Sequence, residues 1–263
     1  FRSVPEVFHD FELGVKGIGD ASRGIGRIDA EGEPLPVVSG NVSFYNQSSN
    51  GRAIAPSPIV CAMGIVADVG KSRSLSLKTP GNALFRIGGF TPELGGSVVA
   101  HVVDPQWKQA PPPVDFDAVR AEIRTVLEAY HEGWAQAIHD VSEGGMLVAV
   151  AEMALGPNGD LRRGARLELS GFVTEHGDFP ACFGEAGAFV VEVAPEDAEH
   201  LEDAARRHGA LATRIGEVTD EATLRVDGLQ QGGVSWSLAD LAKGREATMP
   251  ALLNRRAATG GAR

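Results

Sequence analysis

The sequence predicts a mixed α/β fold (α+β), and two observations carry that expectation. Helical periods recur over 7–24, 115–138, 144–155 and 195–208, while short β-branched or apolar runs stand at 35–38, 59–66, 83–87, 165–169, 188–193, 210–216 and 223–226. Turn residues, chiefly glycine and proline, separate most of these segments. At 263 residues the chain is long enough for two domains.

The first helix is amphipathic. Val7, Phe8, Phe11, Val15 and Ile18 recur at steps of three and four, with Glu6, Asp10, Glu12 and Lys16 between them. Glycines at 14, 17, 19 and 24 weaken its later turns. A polar turn over 26–34 then delivers a short strand, Leu35-Pro36-Val37-Val38, into Gly40-Asn41. Residues 59–66 read as an apolar strand, and 83–87 as another that starts after Pro80-Gly81-Asn82. Residues 91–97 form a glycine-bearing loop, and 105–113 a proline-rich one. The longest helix is expected over 115–138, with a stripe of Phe116, Val119, Ile123, Val126, Leu127 and Tyr130 continued by Trp134 and Ile138. The next helix, 144–155, is apolar almost all round and therefore buried. A polar helix over 195–208 lies among the later strands, and the basic, small-residue tail from about Asn254 reads as disordered.

A formal charge of −11 argues against nonspecific binding to nucleic acid or to an anionic membrane, because both want a basic face. No apolar run reaches the ~18 residues of a membrane span, and no secretory signal is visible. The two cysteines, Cys61 and Cys182, give no disulfide framework and no metal-binding spacing. Both read as buried free thiols in a reducing cytoplasm. The chain enters at Phe1 in mid-element, as a segment of a longer polypeptide would.

Two motifs carry chemistry. The first is Gly40-Asn41-Val42-Ser43-Phe44-Tyr45-Asn46. Its glycine permits close approach of the backbone to a ligand, and the oxygens of Asn41 and Ser43 suit Mg²⁺ or a phosphate; a turn bonding its own backbone is the plainer alternative. The second is His139-Asp140-Val141-Ser142-Glu143-Gly144-Gly145, at the start of the buried helix. Unpaired N–H groups and the helix dipole attract anions there, Asp140 offers a metal ligand, and Ser142 is a natural N-cap. A capped helix without a ligand is the alternative, and His139 reads as structural. Glu93-Leu94-Gly95-Gly96-Ser97 adds a carboxylate and further glycines, with a tight turn as its alternative. Phe183-Gly184-Glu185 is the weakest signal. There is no P-loop, dinucleotide-binding turn or serine-hydrolase elbow.

The run from Val37 to Asn46, Val-Val-Ser-Gly-Asn-Val-Ser-Phe-Tyr-Asn, closely resembles a signature of the phosphoribosylformylglycinamidine synthase family. So do Ile54-Ala55-Pro56-Ser57-Pro58-Ile59-Val60, the loop from Glu93 to Ser97, the His139–Gly145 loop with its helix, and Cys182-Phe183-Gly184-Glu185. The second motif also recurs in aminoimidazole ribonucleotide synthase, selenophosphate synthetase and hydrogenase-maturation enzymes. The resemblance implies the second of two tandem copies: part of a barrel-forming first domain over 1–78, a layered α/β/α domain over 79–250, and a flexible tail over 251–263. It implies ATP and Mg²⁺ as cofactors, formylglycinamide ribonucleotide as substrate, and a glutaminase subunit, a small bridging subunit and the missing first half as partners.

Carried over by residue, Gly40 resembles an ATP contact, Asn41 a metal ligand and Ser43 a substrate contact, while Asp140 and Ser142 resemble the metal and nucleotide-phosphate ligands of an auxiliary site, with Glu93, Gly95 and Gly96 as further candidates. The catalytic residues of the resemblance belong to the absent first half, so the piece alone is expected to be inactive. This sequence departs from the pattern at Gln47-Ser48-Ser49, where an acidic run is usual, and in a longer turn over 28–34. The rival readings are another ATP-using member of the superfamily and a non-catalytic scaffold half.

Overall fold

The computed structural model describes residues 5–42, 48–103, 109–156 and 163–259. The chain divides into two compact units, Phe1–Gly70 and Lys71–Arg263.

The first unit contains one long helix, α1 (Pro5–Ile25), as the three- and four-residue spacing requires. The helix runs on into a turn. Gly26 has φ 65°, Arg27 N–H donates to Glu33 O at 2.8 Å, and Leu35 N–H returns to Ser22 O at 2.9 Å. No residue of α1 is buried. The strands expected over 35–38 and 59–66 do not form, and Cys61 is exposed rather than buried. The physical reason is that a β-strand exists only with a ladder partner. No described residue pairs with either run, although both have the composition of strands.

The second unit is built on one seven-stranded sheet in the order β2-β4-β1-β5-β3-β6-β7. Its strands are β1 (Ala83–Ile87), β2 (Ala135–Asp140), β3 (Gly164–Glu168), β4 (Phe189–Val193), β5 (Ala212–Thr219), β6 (Thr223–Asp227) and β7 (Val234–Ser237). All pairs are antiparallel except β3 with β6. Every residue of β1 is buried. Leu84 belongs to one apolar cluster and Ala83, Phe85 and Ile87 to another, so the strand is covered on both faces.

The helices of this unit are α2 (Val98–Val103), α3 (Phe116–Glu132), α4 (Gly145–Leu155), α5 (Asp178–Phe183), α6 (Ala198–His208) and α7 (Leu238–Thr259). The first cluster draws Met146, Val150 and Met153 from α4 and Leu238 and Ala242 from α7. The second draws Val126 and Ala129 from α3 and Leu201 from α6. As its composition demands, α4 is buried along most of its length. Asp115 caps α3 by accepting from Asp117 N–H and Ala118 N–H.

The helix expected over 115–138 is two elements. It stops at Gly133, which takes the left-handed conformation (φ 83°), and β2 follows. Trp134 and Ile138 therefore pack on the second cluster from a turn and a strand, although their spacing continues the helical stripe. At the other end, α7 continues to Thr259, through most of the segment read as a disordered tail. No described helix is long and apolar enough to cross a membrane.

Candidate functional site

β2, β4 and β1 lie side by side, with Asp140 opposite Phe189 and Phe189 opposite Ile87. Because β4 runs antiparallel to both neighbours, three connections gather at this end of the sheet: residues 88–97, 141–144 and 184–188. They hold the second motif and the glycine loop after β1.

Asp140 ends β2 with an exposed carboxylate. Its Oδ1 lies 3.1 Å from His139 Nδ1, while His139 Nε2 lies 3.1 Å from Glu152 Oε2 of α4. Both ring nitrogens thus face carboxylates, and His139 ties the end of β2 to α4. Ser142 is exposed. It does not cap α4. The cap position belongs to Gly144 in the left-handed conformation (φ 85°), without a side-chain bond, and Gly145 follows at φ 73°. The Ser142 carbonyl accepts Gly145 N–H at 2.9 Å, which closes the turn by backbone alone.

The glycines also have a local explanation. A Cβ on Gly145 would stand 2.5 Å from the carbonyl carbon and 2.6 Å from the Cα of Phe183. One on Gly144 would strike Val148, and one on Gly95 would strike the backbone of Gln109 and Ala110. Gly95 is buried, Gly96 is exposed with φ 78°, and Glu93 is exposed. Ser97 Oγ accepts Ala100 N–H at 3.1 Å at the start of α2.

Glu185 joins the two loops. Its Oε1 accepts Gly144 N–H at 2.7 Å and Val98 N–H at 2.8 Å. It was the least promising motif in the sequence. No local signal exposes it, because its partners stand 41 and 87 positions away along the chain.

At the loop roots lie two buried charges, Arg86 and Glu122, that the sequence reading did not single out. Arg86, in the middle of β1, donates to the carbonyls of Gly88 and Gly89, and to that of Gly187 at 3.3 Å. Its guanidinium lies 5.9 Å from the centre of the Phe172 ring. Burial pushes the guanidinium down to about 10, with Glu122 opposing the shift, so it stays charged at neutral pH. Burial likewise pushes the Glu122 carboxyl up, against the Gly89 N–H bond and the charge of Arg86. Arg86 pins the roots of two of the three loops. A charge inside an otherwise apolar strand was its visible trace. Cys182, buried in α5, has its thiol pushed up to about 11 by burial, so it is no nucleophile at neutral pH.

The first motif lies in the other unit. Gly40 and Asn41 are exposed, in irregular backbone. A Cβ on Gly40 would meet nothing within 4 Å, so packing among the described residues does not demand glycine there. Ser43 lies outside the described residues.

The second unit thus presents a seven-stranded mixed sheet with helices against it and a glycine turn opening a buried helix. The chain belongs to the AIR synthase related proteins, whose C-terminal domain model matches residues 79–228. Within that class it is similar to phosphoribosylformylglycinamidine synthase subunit PurL. The relative from Methylocella silvestris is 36% identical over 247 residues, which are 94% of this chain and 31% of the relative. The structure titled T. maritima PurL complexed with FGAR superposes with a TM-score of 0.56 at 20% identity, over 66% of this chain and 30% of that one. T. maritima PurL complexed with ATP gives 0.51 at 20% identity, over 65% and 27%. At that identity the structures establish a shared fold. The chain spans between 27% and 31% of the length of the curated relatives it matches.

Proposed function

We propose that this chain is the C-terminal part of an ATP-dependent phosphoribosylformylglycinamidine synthase, a cytoplasmic C–N ligase of purine biosynthesis. The observation that carries the reading is the 36% identity to a PurL subunit across 94% of the chain. In the reaction, ATP activates the amide oxygen of formylglycinamide ribonucleotide, and ammonia displaces phosphate to give the amidine. A glutaminase subunit supplies the ammonia, a small bridging subunit joins the two, and the remaining part of the synthase carries the catalytic residues. Residues 1–78 are the remnant of its barrel-forming domain, 79–250 its layered α/β/α domain and 251–263 a tail.

In this reading the chain binds rather than reacts. Gly40 approaches ATP, Asn41 offers oxygen to Mg²⁺ and Ser43 contacts substrate, whereas Asp140 and Ser142 serve a metal and a nucleotide phosphate at an auxiliary site, with Glu93, Gly95 and Gly96 as further candidates. Mg²⁺ would neutralise charge on the phosphates. At Asp140 the donor set suits an ion shared with phosphate and water. Asp140 is an exposed hard oxygen donor, and the described residues contain no group of three or more His, Cys, Asp or Glu able to hold a metal. Mg²⁺ commonly takes one or two carboxylates and completes its shell with phosphate oxygens and water.

The test is calorimetry of the full 263-residue chain with Mg–ADP. Binding is expected for the wild type and loss of binding for Asp140→Ala. No heat at millimolar ligand would leave the non-catalytic scaffold half, a reading that the packing role of Gly144 and Gly145 favours.

A further inference from the structure

Successive side chains of a β-strand point to opposite faces of the sheet. The last two residues of β2 break that rule. The His139 ring, whose side chain is 14% exposed, meets the carboxylate of Asp140, which is 63% exposed, and Nδ1 stands 3.1 Å from Oδ1. The ring itself is fixed. It is largely buried, and Glu152 of α4 bounds its other nitrogen at 3.1 Å. One carboxylate oxygen of Asp140 is therefore engaged, while Oδ2 makes no hydrogen bond to the described residues. A carboxylate that a neighbouring hydrogen bond holds in advance is a better ligand for a hard cation, and losing such an outer partner weakens metal affinity by about 10- to 100-fold.

We propose that His139 is the positioning residue for Asp140. An N–H at Nδ1 holds Oδ1, so that Oδ2 is the oxygen presented to the Mg²⁺ that accompanies nucleotide phosphate at the auxiliary site. His139 touches neither ion nor nucleotide and acts through Asp140 alone. The proposal rests on the reading of Asp140 as a metal ligand.

Calorimetry with Mg–ADP on the full chain tests it with His139→Ala, His139→Asn, His139→Gln and Asp140→Ala, each checked by thermal melting. The amide nitrogen of Asn stands where Nδ1 does and can donate to Asp140, whereas that of Gln stands where Nε2 does and reaches toward Glu152. His139→Asn is expected to bind Mg–ADP as tightly as the wild type, and His139→Ala and His139→Gln about tenfold more weakly. A packing role alone would not favour Asn, because Gln is nearer to His in size. The two amide variants decide the matter if the alanine variant melts early. If His139→Asn binds no better than His139→Gln while Asp140→Ala abolishes binding, the inference fails and the nucleotide site stands. If the wild type does not bind, or Asp140→Ala binds equally well, the metal reading of Asp140 fails and the inference falls with it.

Discussion

Glu192 is fully buried in β4, yet its carboxylate is well used. It accepts Lys78 N–H at 2.8 Å, Thr79 N–H at 3.0 Å and Asn82 Nδ2 at 2.7 Å, and so fastens the turn that feeds β1. Removing it strands the buried Asn82 amide and leaves the Lys78 and Thr79 N–H groups of the turn without their partner. Glu192→Ala is therefore expected to lower stability by about 3 kcal/mol, read from urea unfolding. Glu192→Gln should cost less, because one oxygen remains while its amide nitrogen must face a donor. An alanine variant as stable as the wild type would disprove this role. Arg86 and Glu192 show what sequence reading loses at this scale. Each is a charge within an apolar run, and the partners of Glu192, with the Gly187 partner of Arg86, come from segments that only the fold brings near.

At the scale of elements, glycines separate into those the fold requires and those it does not. Gly145 combines φ 73° with the Phe183 backbone at its Cβ position. Gly145→Ala is expected to cost about 2 kcal/mol or more, from left-handed strain and displacement of residues 183–184. Gly40 has neither constraint, so Gly40→Ala should melt within about 0.5 kcal/mol of the wild type. Differential scanning calorimetry of the pair checks both; equal losses would refute the distinction.

The same scale explains which elements were legible. Helices α1, α4 and α6 follow local periodicity, and the strands over 83–87, 165–169, 188–193 and 223–226 find partners in the sheet. The runs at 35–38 and 59–66 have strand composition, but pairing is not a local property. The helix read through Ile138 fails at Gly133, where a glycine able to turn left-handed outweighs a stripe that happens to continue.

For the whole molecule, length is the governing observation. The chain covers between 27% and 31% of the length of these relatives, and in the proposed reading the catalytic residues lie in the part of the synthase that it does not cover. Purified alone, it is expected to show no turnover dependent on ATP and ammonia, assayed as phosphate release with formylglycinamide ribonucleotide. Robust turnover would overturn the proposal that the catalytic residues lie elsewhere. Addition of the remaining part of the synthase should restore activity.

By itself the amino-acid order determined the family, the mixed α/β class, the buried α4 and the loop bearing Asp140 and Ser142. The family was legible through the resemblance of its motifs, and the class and the buried helix through short spacings that local backbone preference and hydrophobic period translate directly. The tertiary structure alone decided that Gly144 rather than Ser142 opens α4, that Arg86 pins the loop roots, and that Glu185 joins two loops at one oxygen. Those outcomes depend on groups far apart in sequence meeting across one sheet end, and no local pattern encodes which distant donor an oxygen will find.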